Sequence, residues 1–198
     1  MTEFAKRYGN EPWFIKAQNY LIARRSVIQA RLENTFRFVE LSKDNGSAFS
    51  YEFASILRDA GSVFGSVLDA LVKGYKGDPN LKTYFKCYRE LLMTYDPDIP
   101  RRSVQVRALF PGGLVLPLTA LARGKAPSWW EAYNRIKHSE YDNLQSGNMR
   151  NAVLAVAALV ILEHFMGTFP QDSLWVNIGM VYPEDSIDMS PERILFRD

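Results

Sequence analysis

The chain reads as a mainly α-helical protein: an antiparallel helical bundle with a small β-hairpin insertion and a short C-terminal strand. Three observations predict this. Apolar residues recur at three-, four- and seven-residue spacing over 12–39 and again over 50–71, the period of an amphipathic helix. The run from Ala152 to Leu162 is apolar without interruption, the pattern of a helix enclosed on every side. Only the middle of the chain alternates with the period of two that a strand needs, in Ser103-Val104-Gln105-Val106-Arg107-Ala108-Leu109.

Pro12 sits where a first helical turn begins, and Phe14, Ala17, Leu21, Ile28, Leu32, Thr35, Phe36 and Val39 mark one face of a helix over 12–39. Arg24, Arg25, Arg31 and Arg37 interrupt or flank that face. Lys43-Asp44-Asn45-Gly46-Ser47 reads as a loop. Ser50 is the natural N-cap of a second helix, with Glu52 in the first turn where an anion suits the helix dipole. Glycine and proline break the chain over 74–79, and a shorter helix over 80–94 ends at Asp96-Pro97-Asp98-Ile99-Pro100. Pro111-Gly112-Gly113 then turns the first strand into Leu114-Val115-Leu116-Pro117-Leu118, where Pro117 predicts an edge position. Helices over 129–144 and 149–165 follow. A strand is expected over 174–182, and the last residues read as irregular.

At 198 residues, without repeats or low-complexity tracts, a single domain over 1–198 is expected, with the β insertion around 101–120. A formal charge of +2 gives no global argument for nucleic acid or an anionic membrane, so a basic site has to be local. The one cysteine, Cys87, excludes an internal disulfide and a cysteine-cluster metal site; among Phe85, Tyr88 and Leu91 it reads as packing. The first ten residues lack the apolar core of a signal peptide. The 152–162 run falls well short of the ~20 residues that span a membrane. A cytoplasmic location without membrane association is the expectation.

The chemistry concentrates in Trp129-Trp130-Glu131-Ala132-Tyr133-Asn134-Arg135-Ile136-Lys137-His138-Ser139. On a helix, Trp129, Tyr133 and Ile136 share one side and face the core. Trp130, Asn134, Lys137, His138 and Tyr141 fall on an adjoining arc, because separations of three, four and seven residues bring side chains together. An amide, an imidazole and a compact cation suit a phosphate or a nucleotide edge, and Trp130 or Tyr141 offers a face for base stacking. The structural alternative is a histidine that serves only as a hydrogen-bonding group, an Asn134 that holds the neighbouring hairpin, and a Trp129-Trp130 pair that packs, with at most one ring at a site. His164, at the end of the apolar helix, reads as a cap or interior hydrogen-bonding group.

Tyr133-Asn134-Arg135-Ile136-Lys137-His138-Ser139, followed by a loop and the apolar helix from Asn151, resembles the C-terminal half of HEPN (higher eukaryotes and prokaryotes nucleotide-binding) domains. The motif likeness covers 133–166. The resemblance implies a helical bundle, usually dimeric, of a kind found in toxin–antitoxin, phage-defence and RNA-processing systems. It also implies an endoribonuclease that needs no metal or other cofactor. Asn134 matches the motif's polar position and His138 its histidine. Tyr133 stands where the family has its arginine, and Arg135 falls on another side of the helix. In the catalytic reading His138 is the general acid or base, Asn134 orients it, and Lys137 or Arg58 binds phosphate.

The alternative is a non-catalytic helical module that dimerises or binds a protein partner and keeps the motif as internal structure. A small-molecule enzyme has little to stand on: Pro111-Gly112-Gly113 lacks the spacing of a phosphate loop. Gly61 and Gly65 inside the second helix read as points of close helix packing. Glu52 and Asp59, seven apart without partner histidines, read as a solvated or salt-bridged face, so no metal is assigned.

Overall fold

Secondary structure follows the apolar spacing, and the chain is mainly helical. The computed structural model describes residues 2–106, 113–168, 177–180 and 194–198. A short helix α1 (Glu3–Tyr8) precedes α2 (Pro12–Thr35), α3 (Tyr51–Lys76) and α4 (Phe85–Tyr95). Strands β1 (Arg102–Val106) and β2 (Gly113–Leu116) come next, then α5 (Ser128–His138), α6 (Glu140–Asn143) and α7 (Met149–Phe165). Strands β3 (Asn177–Met180) and β4 (Ile194–Arg197) follow. The turn expected at Pro111-Gly112 lies outside the described residues, as do 107–110, 174–176 and 181–182 of the expected strands.

Helix α7 is the enclosed element its composition demands: every side chain from Ala152 to Leu162 is buried. Helices α2, α3 and α5 pack around it, and the sheet covers a further side. Helices α2 and α3 run antiparallel, since Trp13 meets Gly74 at one end and Arg31 meets Glu52 towards the other. The Ser50 side chain caps α3 by accepting from the Phe53 amide at 3.1 Å. The helix passes through Gly74 and stops at Gly77, whose φ of +66° is the left-handed conformation that ends a helix cheaply only at glycine. No described helix is long and apolar enough to cross a membrane.

Three helix boundaries differ from expectation, each for a local hydrogen-bonding reason. Helix α2 ends at Thr35 rather than near 39, where the Thr35 hydroxyl donates back to the Leu32 carbonyl at 2.6 Å. Helix α4 begins at Phe85 rather than near 80. The Asp78 carboxylate accepts from the Asn80 amide at 2.9 Å, and the Thr83 hydroxyl donates to Asp69 on α3, which holds 78–83 out of helical geometry. The helix expected over 129–144 is broken at Ser139, which is extended at φ −156° and ψ 97°. There the Ser139 hydroxyl donates to Asp142 at 2.5 Å and its carbonyl accepts from the Asn143 amide group at 2.8 Å, starting the separate turn α6. Helix α1, for which the sequence reading made no assignment, is capped by Thr2 and anchored by fully buried Phe4.

The expected hairpin is present, with β1 and β2 antiparallel and Val104 opposite Val115. It forms the centre of a four-stranded sheet of order β3-β1-β2-β4. Strand β3 adds antiparallel to β1, and β4 adds parallel to β2. Two expectations are corrected. Strand β2 is interior rather than an edge, and Pro117 is tolerated because it lies one residue past the strand, where its missing N–H breaks no ladder. The tail is not irregular: Leu195 and Phe196 are buried, and the Asp198 amide donates to the Leu116 carbonyl at 3.0 Å. Val104, Val115, Leu195 and Phe196 belong to the same apolar cluster as the helices, so the sheet is part of the core rather than an appendage.

One charged pair lies inside the bundle. Arg25 on α2 donates from Nε to Glu163 on α7 at 2.9 Å and from Nη1 to Gln29 at 2.7 Å, with all three side chains buried. Gln29 in turn donates to Glu33 at 2.7 Å. Burial pushes the Glu163 carboxyl above the ordinary carboxylate range, while the Arg25 hydrogen bond and charge pull it back. Removing either charge alone leaves the other buried and unpaired, so Arg25→Met and Glu163→Met are each expected to cost about 3–5 kcal/mol in urea unfolding. The double variant loses less than either single one. Losses that simply add would show that the two groups are not coupled.

Candidate functional site

The polar end of α5 is positioned by how closely that helix approaches α3. Gly61 and Gly65 of α3 lie under Tyr133 and Trp130: a Cβ at Gly61 would stand 2.4 Å from the Tyr133 ring, and one at Gly65 3.0 Å from the Trp130 ring. Missing side chains on α3 therefore let the aromatic face of α5 seat directly on it. Trp129, Tyr133 and Ile136 are buried, as their spacing requires, and the Trp129 indole donates to the Pro117 carbonyl at 2.8 Å. The N-terminus of α5 is held from the far end of the chain. The Asp198 carboxylate accepts from the Ser128 amide and, at 3.2 Å, from the Ala120 amide, placing a negative charge at a positive helix end.

With those residues inward, Asn134 is half-buried, and Lys137 and His138 are exposed in the last turn. Neither the Asn134 nor the His138 side chain makes a hydrogen bond among the described residues, so Asn134 is not tied to the described strands of the hairpin. Lys137 places Nζ 5.7 Å from the centre of the Tyr133 ring. Arg135 donates to the Ser146 hydroxyl at 3.2 Å, on the side leading to the α7 cap. Arg135, Lys137 and His138 all sit where positive charge suits a helix C-terminus.

The structure brings Arg58 to this end of α5, across from a carboxylate absent from the sequence-derived site. Arg58 Nη1 donates to Glu140 Oε2 at 2.5 Å, with the two side chains 43% and 30% exposed. Glu140 stands two residues beyond His138, so the guanidinium reaches the segment that follows the imidazole. An acid at that spacing was the available signal, but nothing in the chain announced that it would meet α3.

The two proposed stacking residues part company with Asn134 and His138. Trp130 is half-buried and surrounded by Phe64, Phe85, Tyr88, Trp129 and Tyr133, with ring centroids 5.1–6.2 Å away. Tyr141 lies beyond the break at Ser139, on α6, and is 94% exposed. The single continuous arc expected from helical spacing is therefore split at Ser139.

Other charged groups are engaged elsewhere. Glu52 and Asp59 form the salt-bridged face expected of them: Arg31 donates to Glu52 at 3.0 and 3.2 Å, to Asp59 at 2.6 Å and to Ser55 at 3.0 Å. Among the described residues no group of three or more His, Cys, Asp or Glu side chains converges as a metal site would. His164 is an interior hydrogen-bonding group: its Nε2 accepts from Arg102 Nη1 at 3.1 Å, while Arg102 grips Asp96 at 2.6 and 3.1 Å. Burial and then the Arg102 charge push the His164 pKa down, which keeps that ring neutral with Nε2 as the acceptor. Of the two histidines, His138 is the one open to solvent.

The glycine contacts make a graded expectation. Gly61→Ala forces a methyl into the Tyr133 ring and is expected to lower stability by about 1–3 kcal/mol despite alanine's better helix propensity. Gly65→Ala, which meets only the rim of Trp130, costs less. Equal thermal shifts in the two variants would show that the α3–α5 approach is not set by these residues. No family model, no curated protein and no solved structure matches this chain.

Proposed function

We propose that the exposed end of α5 is a surface for the phosphodiester backbone of RNA, and that the protein is a divergent HEPN-like endoribonuclease acting without a metal. The observation that carries this reading is the state of His138. It is a solvent-open imidazole with no hydrogen-bond partner among the described residues, one helical turn from an equally uncommitted Asn134. A histidine kept for packing or internal bonding resembles His164 instead, which is half-buried and bonded. The motif likeness over 133–166 supplies the class of reaction, of the kind used in toxin and phage-defence systems.

In this reaction His138 takes the proton of the substrate's 2′-hydroxyl. The 2′-oxygen then bonds to phosphorus as the bond from phosphorus to the 5′-oxygen breaks; a water gives a proton to the departing oxygen, and the hydroxide left behind takes the proton held by His138, restoring the neutral imidazole. The products are a 2′,3′-cyclic phosphate and a free 5′-hydroxyl. Asn134 orients the imidazole or a phosphate oxygen. Charge for the phosphate comes from Lys137, and from Arg58 once phosphate takes the place of the Glu140 carboxylate on its guanidinium.

His138 is exposed, so His138→Ala leaves the fold intact. With mixed RNA in chelator it is expected to cleave about 10²–10⁴-fold more slowly than the natural protein. Glu140→Gln releases Arg58 and tightens RNA binding, read by fluorescence anisotropy at fixed salt. Equal cleavage by the natural protein and His138→Ala removes the catalytic reading.

A second reading has an observation of its own. Phe38 is 83% and Phe49 51% exposed, and both line a groove of about 370 Å³ between the end of α2 and the start of α3. Exposed Tyr20 and Val27 lie seven residues apart on α2, a spacing that returns to the same side of a helix, and exposed Phe38 follows just past the helix end. An apolar stripe of this kind supports a non-catalytic module that dimerises along α2. Sedimentation equilibrium then finds a dimer that Phe38→Glu converts to monomer. A monomer at every concentration sinks the homodimer.

A further inference from the structure

A half-open cavity lies away from the C-terminal end of α5, between the last turns of α3 and helix α4. It has a volume of about 580 Å³, inside the range of roughly 300–1,000 Å³ typical of small-molecule sites. Its walls include Val72, Leu81 and Leu91, and its aromatic sides are Tyr75 and Tyr95. Its polar lining includes Thr94 and the charged Lys76, Asp78 and Glu90, one cation against two carboxylates. Glu90 has only a loose partner outside the cavity, Lys86 at 3.9 Å with both side chains well exposed, an arrangement that satisfies little of its charge. The chain's own chemistry already hints at what the aromatic wall accepts: the Lys76 ammonium sits 5.0 Å from the centre of the Tyr75 ring.

The aromatic wall is part of a larger cluster of packed rings. Tyr75 and Tyr95 meet edge to face with centroids 5.9 Å apart, and both pack on Tyr8 and on fully buried Phe4. Burial, and then the neighbouring hydroxyls of Tyr8 and Tyr75, push the Tyr95 phenol up to about 12. Tyr95 therefore stays a neutral ring with a hydroxyl to offer. A cavity with apolar walls, electron-rich ring faces and an excess of carboxylate at the rim repels anions and suits a cation with an apolar body.

We propose that this cavity binds a small organic ammonium ion, its cationic group held by the Tyr75 ring and the Asp78 and Glu90 carboxylates, its apolar body against Val72, Leu81 and Leu91. The Lys76 ammonium occupies the ring face in the free protein, and a ligand ammonium displaces it. This site is independent of the one at His138. It is also the setting of Cys87, the chain's one cysteine, which lines the cavity and so reports on its occupancy.

Alkylation of Cys87 by iodoacetamide, followed by intact mass, measures that occupancy without knowledge of the natural ligand. Millimolar phenethylammonium is expected to slow alkylation about fivefold or more, whereas its neutral isostere phenethyl alcohol slows it far less. Asp78→Asn with Glu90→Gln, both at exposed positions and so compatible with folding, weakens the protection about tenfold in concentration. Lys76→Gln removes the internal competitor and shifts half-protection to lower amine concentration. Circular dichroism establishes that each variant is folded as the natural protein is. No slowing by the amine, equal slowing by the alcohol, or full protection in the double amide variant each overturns the proposal.

Discussion

A helix that is apolar on every side can exist in water only if other elements surround it, and α7 imposes that requirement on the rest of the molecule. Its side chains from Ala152 to Leu162 are all buried. Covering them takes α2, α3 and α5 together with the sheet, which explains why the β strands share one apolar cluster with the bundle. The same requirement accounts for the position of Arg25 and Glu163. Where the apolar run of α7 ends, the first charged residue is still inside, and it is tolerated because a guanidinium from α2 meets it there.

The enclosure of α7 fixes α5, and through α5 the candidate site. Helix α5 has to bring Trp129, Tyr133 and Ile136 inward, and the two glycines of α3 allow the close approach. Once that face is seated, Asn134 and His138 have only the rim left to occupy. Their exposure follows from the burial of their neighbours. The carboxylate of Asp198 holds the opposite end of α5, so the helix is fixed at both ends by residues distant in the chain.

Electrostatics separates this rim from a simple cationic patch. Arg58 is paired with Glu140, Lys137 leans on Tyr133, and Arg135 bonds Ser146. In a near-neutral chain these three cations of the rim thus each have a neighbour within the protein. The cavity beside α4 has the opposite balance, with carboxylates in excess over a single lysine. The exposed end of α5 and the cavity beside α4 thus differ in charge on one bundle.

The sequence by itself determined the helical class, the enclosed helix at 149–165, the Ser50 cap, the hairpin core of the sheet and the inward face of α5. Each depends on the identity and spacing of residues close in the chain, which period and capping chemistry reveal. It also placed Asn134 and His138 four apart on one helix. Only the tertiary structure decided that Ser139 would break that helix, because serine's bonds to Asp142 and Asn143 compete with helical geometry by a margin no propensity discloses. Only it decided that Trp130 would be packed among rings from α3 and α4, that Arg58 would meet Glu140, and that the last residues would pair with β2 and cap α5. Those outcomes join residues tens of positions apart, and contact between distant segments is set by how elements fill the space around α7, which local spacing does not encode.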